Sequence, residues 1–150
     1  HEIDLIELID YVIKTYEKII SKNNISIKFN KINNFKIIGD RDKLIEIFTN
    51  LIDNSIKYSD KNKEITITAK KDGEFNTVSV ADQGIGIPKE SIHRITERFF
   101  TVDPSKSRSV GGTGLGLAIV KHLVSQHRAE MDINSVENKG TTIDIKFNPL

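Results

Sequence analysis

The sequence contains no cysteine and no tryptophan, and it has one methionine and three prolines among 150 residues. Without cysteine, a disulfide framework and thiolate zinc sites are excluded. No apolar run approaches the roughly 20 residues that a membrane-spanning helix needs, and the first residues lack the pattern of a signal peptide. The net charge is +1, which gives no electrostatic footprint for nucleic acid or anionic lipid. We therefore expect no nucleic-acid partner and no direct membrane contact.

The remaining composition is typical of a folded domain. Hydrophobic residues make up 37% of the chain and charged residues 29%, and 150 residues suffice for one hydrophobic core. No repeat, low-complexity tract or linker interrupts the sequence, so we expect a single domain over residues 1–150. The few glycines are unevenly distributed along the chain, because six of the nine fall within residues 84–86 and 111–116.

Hydrophobic periodicity predicts an alternation of helices and strands. Asp40 is expected to cap the central helix, and hairpin turns are expected at residues 71–73 and 138–140. This order favours an α+β fold with helices on one face of a mixed sheet. The predicted helices cover residues 4–23, 43–58 and 114–127, with a short one after Pro88, and the predicted strands cover residues 25–29, 35–38, 64–69, 77–81, 131–136 and 141–147.

The central helix, DKLIEIFTNLIDNSIKYS, has an unusual polar face. Glu46, Asn50, Asn54 and Lys57 fall within an arc of roughly 80° opposite the apolar stripe. A solvated face is one interpretation, although asparagine is a poor helix former. The other is a metal–phosphate site, because amide oxygens suit Mg²⁺ and an ammonium group suits phosphate oxygens.

The stretch VADQGIGIP places Asp82 at a strand end, beside Gly84 and Gly86. A carboxylate there can accept N–H hydrogen bonds from a planar ligand that the glycines allow to come close. A tight turn with a solubilising aspartate is the alternative interpretation.

The stretch GGTGLG stands where a loop enters a helix. Backbone N–H groups at a helix N-terminus bind anions, and the absence of side chains lets phosphates approach. A flexible hinge is compatible with the same residues. Lys106 and Arg108 precede the glycines and could close over a polyphosphate. The Walker, Rossmann and protein-kinase motifs are missing, so a nucleotide site would be of another kind.

Together these stretches resemble the catalytic ATP-binding domain (HATPase_c) of bacterial two-component sensor histidine kinases, within the gyrase–Hsp90–kinase–MutL (GHKL) superfamily. FTNLIDNSIKYS resembles the N box, DQGIGIP the G1 box, ITERFF the F box and GGTGLGL the G2 box. KGTTIDIKF resembles a weaker final motif. The resemblance extends over residues 2–149, and the phosphate-regulon (PhoR-type) sensors are the most similar subfamily.

The resemblance implies a two-layer α/β sandwich, the Bergerat fold, with a mixed sheet against three helices and a flexible ATP lid at residues 101–113. It implies ATP and Mg²⁺ as ligands. Asp82 would accept the adenine amino group, and Asn54 would bind Mg²⁺. Asn50 and Lys57 would face the phosphates, with Tyr58 beside the ribose or base. The full implied ATP site comprises Asn50, Asn54, Lys57, Tyr58, Asp82, Gly84, Gly86, Ile87, Lys106, Arg108, Gly112, Thr113, Gly114, Leu115, Gly116, and Thr141 or Thr142.

The sequence departs from the family pattern at two places. Thr101 stands where relatives often carry arginine or lysine, so Arg98, Lys106 or Arg108 would have to contact the γ-phosphate. Residues 127–129 read His–Arg–Ala where many relatives read His–Gly–Gly. Phe99 and Phe100 are expected to anchor the lid.

The expected reaction is phosphotransfer rather than hydrolysis. Members of the superfamily that hydrolyse ATP carry a glutamate where this chain has Asn50, and an amide has no useful basicity. Glu46 could accept a proton or orient a nucleophile, so Glu46 and Asn50 are the candidate catalytic residues.

The implied nucleophile is a histidine on a separate dimerisation domain, and none of the four histidines here has that setting. The parent would lie in the bacterial inner membrane, with this domain cytoplasmic, and would pass phosphate to a response regulator. Two alternatives stay open: an anti-sigma-type serine kinase, and a nucleotide-sensing module without phosphotransfer.

Overall fold

The computed structural model of the chain describes residues 1–59, 63–97 and 116–150. These ranges contain seven strands and four α-helices, together with a 3-10 helix at Lys89–Arg94. The strands are β1 (Glu2–Asp4), β2 (Ser26–Asn30), β3 (Lys36–Ile38), β4 (Glu64–Asp72), β5 (Phe75–Ala81), β6 (Glu130–Val136) and β7 (Gly140–Phe147). The α-helices are α1 (Leu5–Thr15), α2 (Glu17–Lys22), α3 (Arg41–Tyr58) and α4 (Gly116–Gln126).

The main sheet has five strands in the order β2-β4-β5-β7-β6. The β2–β4 pair is parallel and the other pairs are antiparallel, so the sheet is mixed, as predicted. Side chains alternate between its faces: Ile65, Ile67 and Ala69 of β4 are buried, whereas Thr66 and Thr68 are partly exposed. The buried face joins the apolar residues of α1, α3 and α4 in one core, which confirms the two-layer arrangement.

Helix α3 follows the sequence prediction closely. Leu44, Ile47 and Leu51 of its apolar stripe are at most 1% exposed. The Asp40 side chain accepts a hydrogen bond from the backbone N–H of Lys43 at 3.2 Å, which is the expected N-cap. The helix begins at Arg41, two residues before the predicted start. A firm N-cap and a fully buried stripe hold this helix against the sheet.

The predicted single helix over residues 4–23 is wrong, because the segment forms two helices that meet at Tyr16. Tyr16 has φ −95° and ψ 5°, outside the helical range, and the Thr15 hydroxyl donates to the carbonyl of Tyr11 at 3.0 Å. Apolar spacing continues through the break into Ile19 and Ile20, so periodicity gives no sign of it. Strand β1 was not predicted either, since three residues are too few for a pattern.

The turn between β4 and β5 also differs from its predicted place at residues 71–73. Strand β4 continues through Asp72, which pairs with Phe75, so the turn consists of Gly73 and Glu74. The short helix after Pro88 is a 3-10 helix. The described part of α4 begins at residue 116, and the predicted lid at residues 101–113 lies outside the described ranges, as do residues 98–100.

Candidate nucleotide-binding site

Asp82 lies directly after β5, and its carboxylate is held by two backbone hydrogen-bond donors. Its Oδ1 accepts the backbone N–H of Gly84 at 2.9 Å and that of Thr141 at 3.1 Å. The hydroxyl of Ser55, on α3, lies near enough to the carboxylate to lower its pKa. The backbone N–H of Asp82 in turn donates to the carbonyl of Thr141 at 2.9 Å. The carboxylate is therefore fixed relative to β7.

The surroundings of Asp82 act on its charge in opposite directions. Burial raises the pKa of this carboxyl group above its ordinary value of 3.8, and the backbone N–H groups of Gly84 and Thr141, together with the nearby Ser55 hydroxyl, pull the pKa back down. All three groups are uncharged. Both backbone donors bind Oδ1, which leaves Oδ2 as the oxygen that can accept a hydrogen bond from a ligand.

The glycines after Asp82 are required by close contacts between backbone segments. A Cβ atom on Gly84 would lie 2.2 Å from the carbonyl oxygen of Tyr58, at the end of α3. A Cβ atom on Gly86 would lie 2.2 Å from the carbonyl oxygen of Val136, and Gly86 also has a positive φ of 69°. Any larger residue would push the loop away from α3 and from the β6–β7 hairpin. The D-x-G-x-G spacing thus fixes the position of Asp82, because its two glycines allow the loop to pack closely against neighbouring backbone.

Ser135 of β6 connects this loop to β7, and the sequence analysis did not identify it. Its Oγ accepts the backbone N–H of Ile87 at 2.7 Å and lies 2.8 Å from Oγ1 of Thr141. Thr141 shares its sheet face with Ile143, beneath the helices, because residues two apart point the same way. Thr142 points to the opposite face, so the structure brings Thr141 to Asp82 and does not bring Thr142.

The two asparagines of α3 face the start of α4. A Cβ atom on Gly116 would lie 3.7 Å from Oδ1 of Asn50 and 3.9 Å from Oδ1 of Asn54. The amide nitrogen of Asn50 donates to the carbonyl of Glu46 at 2.9 Å, which turns its oxygen outward. The free N–H groups of a helix N-terminus can attract anions, so the amide oxygens of Asn50 and Asn54 lie beside a helix end where phosphate is expected.

These oxygens fit a magnesium ion that arrives with a polyphosphate. Among residues 1–59, 63–97 and 116–150, no group of three or more histidine, cysteine, aspartate or glutamate side chains could hold a metal. Mg²⁺ is commonly bound through few protein ligands, with phosphate oxygens and water completing its coordination. The amide oxygens of Asn50 and Asn54 are therefore suited to Mg²⁺ that binds together with a nucleotide.

The remaining predicted residues of α3 lie along the same helix. The Nζ of Lys57 lies 3.0 Å from Oδ2 of Asp53, one turn earlier, and both side chains are about one third exposed. Tyr58 is partly buried, and its carbonyl accepts the backbone N–H of Ile85 at 3.3 Å. Glu46 is exposed. Six predicted site residues lie outside the described ranges: Lys106, Arg108, Gly112, Thr113, Gly114 and Leu115.

Comparison with known proteins identifies the family. The profile of histidine kinase-, DNA gyrase B- and HSP90-like ATPases matches residues 39–150, and the chain belongs to this family. Its fold is that of histidine kinase catalytic domains. The solved structure of a mycobacterial sensor histidine kinase, MprB, has a TM-score of 0.85 at 26% identity and full coverage of both chains. The catalytic domain of the histidine kinase ThkA has a TM-score of 0.85 at 29% identity, covering 99% of this chain and 94% of that one.

The curated relatives are sensor kinases of greater length. The sensor-like histidine kinase SenX3 of Mycolicibacterium smegmatis is 34% identical over 145 residues, which are 97% of this chain and 38% of SenX3. The phosphate regulon sensor protein PhoR of Pseudomonas aeruginosa is 44% identical over 111 residues, which are 74% of this chain and 25% of PhoR. The chain thus spans less than two fifths of either relative. Within the described residues, no helix is long and apolar enough to cross a membrane.

Proposed function

We propose that this domain binds Mg-ATP between α3, the loop at residues 82–87 and the start of α4, and transfers the γ-phosphate to a histidine of a separate dimerisation domain. One observation carries the proposal: α3 presents Asn50 and Asn54 to the start of α4, and its last residue, Tyr58, packs against Gly84 in the loop that carries Asp82. A hydrogen-bond acceptor for a base, at the end of β5, and a site for phosphates, on α3, thus lie on either side of one closely packed contact.

Each described side chain has a role in binding or orienting ATP. Oδ2 of Asp82 accepts the adenine amino group, and the amide oxygens of Asn50 and Asn54 hold the metal–phosphate end. Lys57 exchanges its contact with Asp53 for a phosphate oxygen. When bound, Mg²⁺ would neutralise part of the negative charge of the phosphates. Phosphoryl transfer needs chiefly in-line positioning and charge stabilisation, and the site supplies both without a covalent intermediate.

The residues of α3 favour transfer to a protein histidine over hydrolysis. An amide at position 50 cannot take a proton from water, so no general base stands at that position for attack by water. Glu46 lies one turn earlier and is exposed, where it can orient an incoming nucleophile. The partner that brings this nucleophile is the histidine-bearing domain of the parent kinase, a protein of the inner membrane with this domain in the cytoplasm. A response regulator then receives the phosphate.

Calorimetry with and without Mg²⁺ tests the nucleotide site. We expect one saturable site for ATP whose affinity rises with Mg²⁺, and we expect Asn54→Ala to remove that dependence on Mg²⁺. Asn134→Ala is the matched control, because Asn134 is exposed on the opposite face of the sheet. Absence of ATP binding up to millimolar concentration would contradict the proposed function.

Mixing the domain with the histidine-bearing helices of its parent and labelled ATP tests the reaction. A phosphate on the helices that is labile in acid and stable in alkali supports histidine phosphorylation. Acid-stable phosphoserine would instead indicate an anti-sigma-type serine kinase. Saturable ATP binding with no label on the partner would indicate a nucleotide-sensing module.

A further inference from the structure

The hydroxyl group of Ser135 lies between the loop after β5 and the start of β7. Its Oγ is 2.7 Å from the backbone nitrogen of Ile87, 3.0 Å from the carbonyl oxygen of Gly140 and 2.8 Å from Oγ1 of Thr141. We propose that Ser135 is a positioning residue for base selection, which holds the Thr141 hydroxyl as a hydrogen-bond acceptor beside Asp82 and so favours a purine with an amino group over one with an oxo group. This inference rests on the proposed function.

The three partners of Ser135 leave one arrangement of protons. A serine hydroxyl has one proton to donate and two lone pairs that accept. The N–H of Ile87 can only donate, so it takes one lone pair, and the carbonyl of Gly140 can only accept, so it takes the proton. The second lone pair then accepts the hydroxyl proton of Thr141. Because Thr141 donates its proton to Ser135, only the lone pairs of its Oγ1 remain for a ligand.

The backbone places this acceptor beside the Asp82 carboxylate. The N–H of Thr141 donates to Oδ1 of Asp82 at 3.1 Å, and the carbonyl of Thr141 accepts the N–H of Asp82 at 2.9 Å. Gly140, which precedes Thr141, has a positive φ of 136°, and a Cβ atom there would clash with the carbonyl oxygen of Asp82. Glycine therefore allows β7 to begin this close to the loop. Oγ1 of Thr141 and Oδ2 of Asp82 are thus two acceptors at the same end of the site.

Two neighbouring acceptors distinguish the polar group that a purine presents. The amino group of adenine carries two protons, so it can satisfy both acceptors. The oxo group of hypoxanthine carries only lone pairs, and facing both acceptors would leave polar groups unpaired at a partly buried site. Without Ser135, the Thr141 hydroxyl is free to rotate and to donate its proton to an oxo group. Ser135 therefore acts on base selection through Thr141.

The test compares the binding of ATP and of inosine triphosphate, which carries the oxo group, by calorimetry on the wild type and on Ser135→Ala. We expect the ratio of the Kd for inosine triphosphate to the Kd for ATP to fall about three- to tenfold in the variant, which is the range of a hydrogen bond between uncharged groups. Some preference for ATP should remain, because Asp82 is unchanged. Ser135→Thr keeps a hydroxyl at this position and should keep the wild-type ratio.

Ser79→Ala is the matched control. Ser79 is also a serine in a strand, and its hydroxyl donates to the carboxylate of Asp144 on the opposite face of the sheet. The ratio of the two Kd values should therefore stay at the wild-type level in Ser79→Ala. Thermal unfolding checks the fold of each variant, since the N–H of Ile87 loses its acceptor in Ser135→Ala.

Thr141→Val provides a second, independent variant, because it removes the oriented hydroxyl itself and should lower the ratio by a similar factor. Adding Ser135→Ala to Thr141→Val should then leave the ratio unchanged, since no hydroxyl remains to be oriented. A further fall in the double variant would overturn the inference. Equal losses of affinity for both nucleotides in Ser135→Ala would do the same, and would indicate that Ser135 only holds the loop in place.

The wild type separates failure of this inference from failure of the proposed function. If the wild type binds ATP and the ratio is unaltered in Ser135→Ala and in Thr141→Val, the positioning role fails while the site stands. If the wild type binds neither nucleotide up to millimolar concentration, the nucleotide site itself fails, and the inference fails with it.

Discussion

Replacement of Asp82 by asparagine tests the site most directly, because the structure determines how the new amide would lie. Oδ1 accepts two backbone N–H groups, from Gly84 at 2.9 Å and from Thr141 at 3.1 Å. The amide of Asp82→Asn must place its oxygen there to keep both bonds. Its NH₂ group then occupies the position of Oδ2, where it opposes the amino group of adenine donor to donor.

The expected loss follows from the hydrogen bond that disappears. A hydrogen bond to a charged acceptor contributes roughly 1.5–3 kcal/mol, and each ~1.4 kcal/mol is a factor of ten in affinity. The Kd for ATP should therefore rise about 10- to 150-fold. The fold should survive, since both backbone donors keep an oxygen acceptor and a buried charge is removed.

Isothermal titration of the wild-type domain and of Asp82→Asn with Mg-ATP measures this loss, and thermal unfolding checks the fold. Purine riboside triphosphate serves as the ligand control, because it lacks the amino group and should bind both proteins with similar affinity. An ATP affinity within twofold of wild type, in a folded variant, would refute the assignment of Asp82 to base recognition.

Three further predictions concern charge and backbone conformation. The raised pKa of Asp82 means that the stability of the wild type relative to Asp82→Asn is greatest below pH 3.8, falls as the pH rises through the pKa of the folded state, and is constant above it. Urea unfolding of both proteins across this pH range measures the difference in unfolding free energy. An increase in the relative stability of the wild type with rising pH would contradict the prediction. Asp53→Asn releases Lys57 from its 3.0 Å ion pair and should tighten ATP binding about two- to fivefold at low salt. This gain in affinity should disappear at high salt. An unchanged affinity would mean that Lys57 does not reach the phosphates. Arg128, which follows α4, has a positive φ of 55°, so Arg128→Gly should stabilise the domain by about 1 kcal/mol and raise Tm by roughly 2–4 °C, whereas Arg128→Ala should not.

The sequence predicted most of the fold because its main elements carry strong local patterns. Helix α3 combines an N-cap with an apolar stripe, and β4 and β7 alternate between buried and partly buried residues. Where the local pattern is weak, prediction failed. The break at Tyr16 interrupts no periodicity, and β1 exists because it pairs with β3, a contact between distant residues.

The same distinction separates the predicted from the unpredicted parts of the site. Asp82 and the glycines after it form a recognisable local motif. Ser135 looks like an ordinary small polar residue in a strand, and only the tertiary fold gives it partners. The hydrogen bond from Ile87 to Ser135 spans 48 residues of sequence, so no local pattern could indicate it.

The arrangement of α3 has a consequence for how the two ends of the site are coupled. Asn54 and Ser55 are neighbours in sequence, yet one faces the start of α4 and the other faces Asp82. A helix turns by about 100° per residue, so adjacent residues can serve opposite sides of a ligand while their separation stays fixed. A shift of α3 relative to the sheet would therefore move Asn50 and Asn54 relative to Asp82, which follows β5 and is bonded to β7. The packing of α3 on the sheet, through the buried stripe that begins at Leu44, therefore fixes the distance between the proposed base acceptor and the proposed phosphate ligands.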